Sequence, residues 1–330
     1  MQFRLLRGLA TTAGVAALMC GCGGPPLTTA DSLAAAPNVS SVVEHPPKAW
    51  IRPGASNGEL LYAGVRLESG SGEGTVILTY PQGELVGSID IGPSAMCSDT
   101  QGDVYLLTLN SAIEFAHGGT QPIRTVRVPG AQTVACAVDP TTGDLAVTFY
   151  CPPCGYENLA IFPSGSSQST RYDTLAFSTA TYDNSGNLFL ANYDEIAELP
   201  SGSSEFIPIS LNESVGDVGQ IQWDGTYITL ESAKPPATIS RLSITGSTAT
   251  VVGQTKFKPY MRQVGLSWIA GDGTVAFPYS AKGEGTPDLG VWKYPKGIHP
   301  MHTIKKIGNG DKGFGAITVS VPPTGLRPRR

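Results

Sequence analysis

The side chains in this 330-residue sequence that could do chemistry are six cysteines, four histidines and a recurrent set of aspartates. Cys151-Pro152-Pro153-Cys154-Gly155 has the two-residue spacing of a redox pair, half a zinc site or a haem attachment site. Haem attachment needs His after the second cysteine, and Gly155 stands there. A redox pair needs a helix N-terminus to lower the thiol pKa, whereas a strand-like run precedes Cys151. Zinc would have to recruit two more ligands, for which Cys97 and Cys136 are the obvious cysteines. A local structural disulfide is the simplest account of Cys151 and Cys154, with metal and redox roles as alternatives.

Of the histidines, His45 lies in a Pro-rich stretch, His117 in a hairpin turn, and His299 and His302 together in the last hairpin. The last two have a spacing that could ligate a metal, but on a surface hairpin such residues are ordinarily solvated. Asp99, Asp139, Asp183 and Asp224 each stand immediately before a glycine turn, where Asp caps the turn by accepting backbone N–H bonds. Residues that repeat in this way serve the fold, and a functional site is usually asymmetric. The non-repeating polar residues near strand ends are Glu157, Asn158, Asn192 and Glu231. They are the candidates for a channel mouth. No Ser–His–Asp order and no nucleophile elbow stands out, so no catalytic residue is named.

These residues are positioned by a repeat. A turn-plus-strand unit begins at Asn57-Gly58 and recurs at Gln101-Gly102, Thr142-Gly143, Ser185-Gly186, Asp224-Gly225 and Asp272-Gly273. Each glycine is expected at a positive φ, and each is followed by apolar alternation of the kind a half-buried strand shows. Between these units lies a strand–turn–strand hairpin, as in VILTYPQGELVGSI from Val76 and VWKYPKGIHPMHTI from Val291. An apolar element ending in Asp precedes most turns. Trp223 and Trp268 fall in such elements, where blade packing accounts for them. Four strands per unit of about 43 residues is the arithmetic of a β-propeller blade.

The sequence therefore predicts an all-β fold, a six-bladed β-propeller of four-stranded antiparallel blades. Ala316–Val321 resembles the inner-strand element Val134–Asp139. It is expected to close the ring by joining the N-terminal blade, where Ala49 to Arg52 is hemmed by prolines. Opposite parity on neighbouring inner strands points Cys97 at Cys136, so these two are expected to pair, and Cys151 with Cys154. With 40 Gly and 26 Pro, one residue in five, a helical bundle is excluded. A net charge of −5 without a basic block makes nucleic acid an unsuitable partner.

The pattern D-x-x-G, one residue of any type and three apolar residues, then an apolar hairpin with P-x-G, resembles the NHL/YncE-like propellers of bacteria. It is most similar to lipoproteins of that group. Met1–Gly24 supports this, with Arg4 and Arg7 ahead of the apolar run Leu9–Met19, which is too short to span a bilayer. The run ends in a segment that resembles a bacterial lipoprotein signal. Cys22, preceded by Gly21, is the expected lipidation site and Cys20 the alternative.

The expected organisation is a signal over residues 1–21, a flexible tether over 22–47 and a propeller over 48–330. The product would be an exported monomer anchored by lipid at the outer membrane or cell surface. It would act as a binding or scaffolding module for a protein, glycan or envelope partner, with no cofactor. The alternative is a propeller enzyme of lactonase or lyase type, holding Ca or Zn at the central channel.

Overall fold

Runs such as Leu60-Leu61-Tyr62-Ala63, Val104–Leu107 and Leu188–Ala191 are apolar at every position, and every residue in them is buried. Alternation is absent here because each strand is covered on both faces, as in a sheet sandwiched between two others. This corrects the half-buried reading. Leu60 and Tyr62 point to one neighbouring sheet and Leu61 and Ala63 to the other, which is the period-two consequence of the pleat.

The computed structural model describes residues 49–66, 73–130, 132–152, 157–173, 177–192, 195–213, 215, 218–232, 236–257, 261–263, 266–281, 288–305 and 314–323. All lie in one compact unit, Glu44–Arg330. The predicted signal, the tether, Cys20 and Cys22 fall outside the described residues. No helix among the described residues is long and apolar enough to cross a membrane.

Among the described residues, six four-stranded antiparallel units follow one another, and we number them as blades. Blade 1 comprises Leu60–Arg66, Glu73–Thr79 and Leu85–Ile89, with the C-terminal strand Phe314–Ser320 as its inner strand. The inner strands of blades 2 to 5 are Ala95–Ser98, Gln132–Val138, Thr179–Tyr182 and Val218–Trp223. In blade 6 the inner position is divided between Met261–Gln263 and Trp268–Ala270, both paired with Thr274–Ala281.

The inner strands lie side by side in a closed cycle from blade 1 through blade 6 and back. Among the described residues, six hydrophobic clusters form the core, each built across one interface between neighbouring blades. The fold is a β-propeller. Its ring closes where Leu60–Ala63 pairs with Ile317–Ser320, as the C-terminal resemblance predicts.

Three details go beyond the sequence reading. Ala49–Ile51 does form a strand, at the outer edge of blade 1 against Gly87–Ile89. Blades 4 and 5 are joined at their outer edges by a short parallel pairing, Ser210–Leu211 with Thr248–Ala249. Gly102, Gly143, Gly186, Gly225 and Gly273 have φ between +76° and +94°, as their turns require. Gly58 does not. It is extended at φ −124°, after the 3₁₀ turn Ala55–Asn57, and the left-handed residue there is Gly54.

Candidate functional site

The aspartates before the turns are occupied by their own backbone. Asp99 Oδ1 accepts N–H bonds from Gln101 and Asp103 at 2.9 and 2.8 Å. Asp183 does the same with Ser185 and Asn187 at 2.8 and 2.9 Å, and Asp224 with Thr226 and Tyr227 at 2.9 and 2.7 Å. Asp139 accepts from the N–H and hydroxyl of Thr141, both at 2.7 Å. Repetition here marks turn capping, as expected.

Inside the ring lies a cavity of about 640 Å³, lined by residues from all six inner strands. Its indoles and glutamine amides stand on one side. Blades 1 to 3 contribute Val319, Val321, Met96, Ala137, Val138, Ser98 and Thr100, together with Cys97 and Cys136, and blade 4 contributes Thr181, Tyr182 and Asn184. Those two cysteines form a disulfide across the interface of blades 2 and 3, with Cα atoms 5.7 Å apart. Blades 5 and 6 contribute Gln220, Gln222, Trp223 and Trp268. Glu59, Asp99 and Asp272 stand at the turn-bearing end, and no Lys, Arg or His lines the cavity among the described residues.

The polar groups of blades 5 and 6 form one network. Gln222 Nε2 donates to Ser267 Oγ at 2.7 Å, while Gln222 Oε1 accepts the Ile269 N–H at 2.9 Å. Ser267 Oγ also reaches Gln220 Oε1 at 3.5 Å. Ser267 is fully buried at the division of the blade 6 inner strand. Behind it sits Glu231, directly opposite Gln220 in the strand pairing of blade 5. Burial pushes the Glu231 carboxyl up to about 8, against the opposing effect of the Ser267 hydroxyl and N–H that it meets. Its Oε2 is buried without a partner.

Trp223 and Trp268 are half-buried, in contrast to the fully buried Trp292. Trp223 packs against the interface of blades 4 and 5, and Trp268 against that of blades 6 and 1. Both also line the cavity, so blade packing is only half of their account. The Trp223 ring is oriented by its Nε1–H, which donates to Asn184 Oδ1 at 3.0 Å.

Of the channel-mouth candidates whose side chains are described, Glu231, Asn158 and Asn192, Glu231 stands next to the cavity wall. Asn158 is buried on the third strand of blade 3, where its Oδ1 accepts from Arg171 Nη2 at 2.8 Å and its Nδ2 has no partner. Asn192 ends the second strand of blade 4 and does not line the cavity. Glu157 begins the third strand of blade 3, and its side chain is outside the description. Cys151 is buried and disulfide-bonded, and Cys154, its expected partner, lies outside the described residues.

His299 and His302 are exposed. His117 serves ring closure: its Nε2–H donates to the Gly58 carbonyl at 3.0 Å, and Nδ1 faces Ser320 Oγ at 2.6 Å. Sequence reasoning missed Gln220, Gln222 and Ser267. The available signal was blade 6, whose inner-strand element does not follow the pattern of the others.

A second cavity, about 710 Å³, opens between blades 2 and 3 beside Asp99, Asp103, Glu114 and Asp139. Burial, then Asp99 and Glu114, push the Asp103 carboxyl up to about 6. Asp99 and Asp139 are the turn caps described above, and Glu114 is paired with Arg124 at 2.7 Å. Among the described residues, no three of His, Cys, Asp and Glu gather as a metal site would require.

Comparison with known proteins agrees on the fold. The crystal structure of the Cps50 (Swd1) β-propeller domain from Myceliophteria thermophila matches with a TM-score of 0.51. That match covers 76% of this chain and 89% of that one, at 11% identity, and so shows the fold alone. Kuenenia stuttgartiensis hydrazine synthase matches 62% of this chain and 63% of its own, at 12% identity. Its TM-score of 0.48 carries no argument. No protein-family model matches the chain, and no curated protein does. The comparisons add nothing to the resemblance to NHL/YncE-like propellers beyond the fold.

Proposed function

We propose that the protein is an exported, lipid-anchored binding module whose ligand site is the blade 5–6 side of the central cavity. The observation that carries this is asymmetry. The turn aspartates repeat around the ring and are consumed by their turns, whereas the two half-buried tryptophans and the amide network stand on one side of the cavity. A cavity of this size, whose wall mixes aromatic and aliphatic side chains with convergent amides, is the form that small-ligand sites take. The resemblance to NHL/YncE-like lipoproteins and the Cys22 signal support the envelope address.

The alternative, a lactonase or lyase with Ca or Zn, calls for carboxylates converging from several blades. Of the carboxylates at the cavity, Glu59, Asp99 and Asp272, the two aspartates accept N–H bonds within their own turns, so binding is the better reading. A thermal-shift screen of small molecules against the full chain tests it. Compounds that raise the melting temperature of the wild type are expected to lose that effect in Trp268→Ala. Hits that are indifferent to Trp223→Ala and Trp268→Ala would place the ligand elsewhere and overturn the reading.

A further inference from the structure

Resting on that binding reading, the geometry points to one ligand class: we propose that the blade 5–6 wall binds a neutral saccharide. Trp223 and Trp268 would meet the C–H face of a sugar ring, and Gln220 and Gln222 its hydroxyls. Three observations support this over other small ligands.

The first is charge. No basic side chain lines the cavity among the described residues, so a phosphate or carboxylate ligand would be desolvated without a counter-charge. The second is hydrogen-bonding capacity. Gln222 uses one of its two N–H groups on Ser267 and one carbonyl lone pair on Ile269, and keeps one of each. Gln220 receives Ser267 at its oxygen and keeps its –NH₂ for a ligand. Groups that both donate and accept suit hydroxyls, which do the same.

The third is the indoles. An aromatic ring that stays half-exposed on a cavity wall offers an apolar face at little entropic cost, and Asn184 already fixes the orientation of Trp223. The unpartnered Oε2 of Glu231 lies behind Ser267. Glu231 is not on the cavity wall, so this orphaned atom marks an unsaturated polar network behind the glutamines and not a ligand contact. A cavity of about 640 Å³ admits one or two sugar rings and excludes a protein surface.

The test is a neutral-glycan array probed with the full chain in detergent, followed by calorimetric titration of maltotriose, cellotriose and triacetylchitotriose. Trigalacturonate and choline serve as anionic and cationic counter-probes. At least one neutral glycan is expected to bind, with affinity lowered roughly tenfold or more in Trp268→Ala and in Gln220→Leu. Trp268→Phe should retain most of it, and unchanged melting curves would show that the variants are folded. Binding of choline alone, lost in Trp268→Ala, would overturn the saccharide and leave the binding reading standing. Absence of any neutral-glycan signal above that of the Trp223→Ala, Trp268→Ala double variant overturns the saccharide too. If the thermal-shift hits are also indifferent to these substitutions, the binding reading falls with it.

Discussion

Glu231 is the residue whose surroundings depart most from its chemistry. A carboxyl buried between blades and held near pKa 8 keeps its proton when folded and releases it when unfolded at neutral pH. Folding therefore takes up a proton between the ordinary carboxylate range and about pH 8, and stability falls as pH rises through that window. Glu231→Gln, which keeps the shape and a donor, is expected to flatten this slope. Denaturant melts should show the variant and wild type alike near pH 5, and the variant more stable by a few kcal/mol, roughly, at pH 8. A parallel pair of curves would mean that Glu231 is hydrated or otherwise compensated. Glu231 was visible in the sequence because it has no counterpart in other blades. Its partner Ser267 was not, since nothing local in Leu266-Ser267-Trp268 shows that it meets a residue 36 positions earlier.

Single elements show how the sequence can be legible in one direction and opaque in another. The inner strands of blades 2 and 3 place Cys97 and Cys136 with opposite parity, and pleat geometry alone suffices to pair them. The bridge spans 39 residues and restricts the unfolded chain, so Cys97→Ala with Cys136→Ala is expected to cost about 2–4 kcal/mol in urea melts. No loss would mean that the interface of blades 2 and 3 is held by packing alone. The second strands were harder to read. Their unbroken apolar runs carry no alternation, because burial on both faces erases the contrast between inside and outside. The divided inner strand of blade 6 could be seen as a departure, but not what it meets.

For the whole molecule, closure governs stability, because each blade buries its faces only against two neighbours. Fully burying one large apolar side chain is worth about 1.5–3 kcal/mol, and Phe314–Ser320 carries three, Phe314, Ile317 and Val319, besides its ladder to blade 1. Deleting residues 314–330 is expected to abolish the single cooperative thermal transition seen by circular dichroism. A truncated chain that melted like the wild type would refute the closing role of the C-terminal strand. At the other end, Cys22→Ser is expected to move the protein from the membrane to the soluble fraction and remove its lipid mass. Membrane partition with the mass shift retained would contradict lipidation there. The ring was legible because turn glycines and strand spacing repeat along the chain. The site was not, because it consists of the places where one side of the ring departs from the other, and those residues meet only in space. The most direct test of that site uses the four tryptophans, Trp50, Trp223, Trp268 and Trp292. Titrating a neutral trisaccharide into protein labelled at the indole nitrogens should move the N–H resonances of Trp223 and Trp268. Trp50 at the outer edge and Trp292 in the core should stay in place. Unmoved Trp223 and Trp268 signals at saturating ligand, or a shift confined to Trp50, would contradict the account.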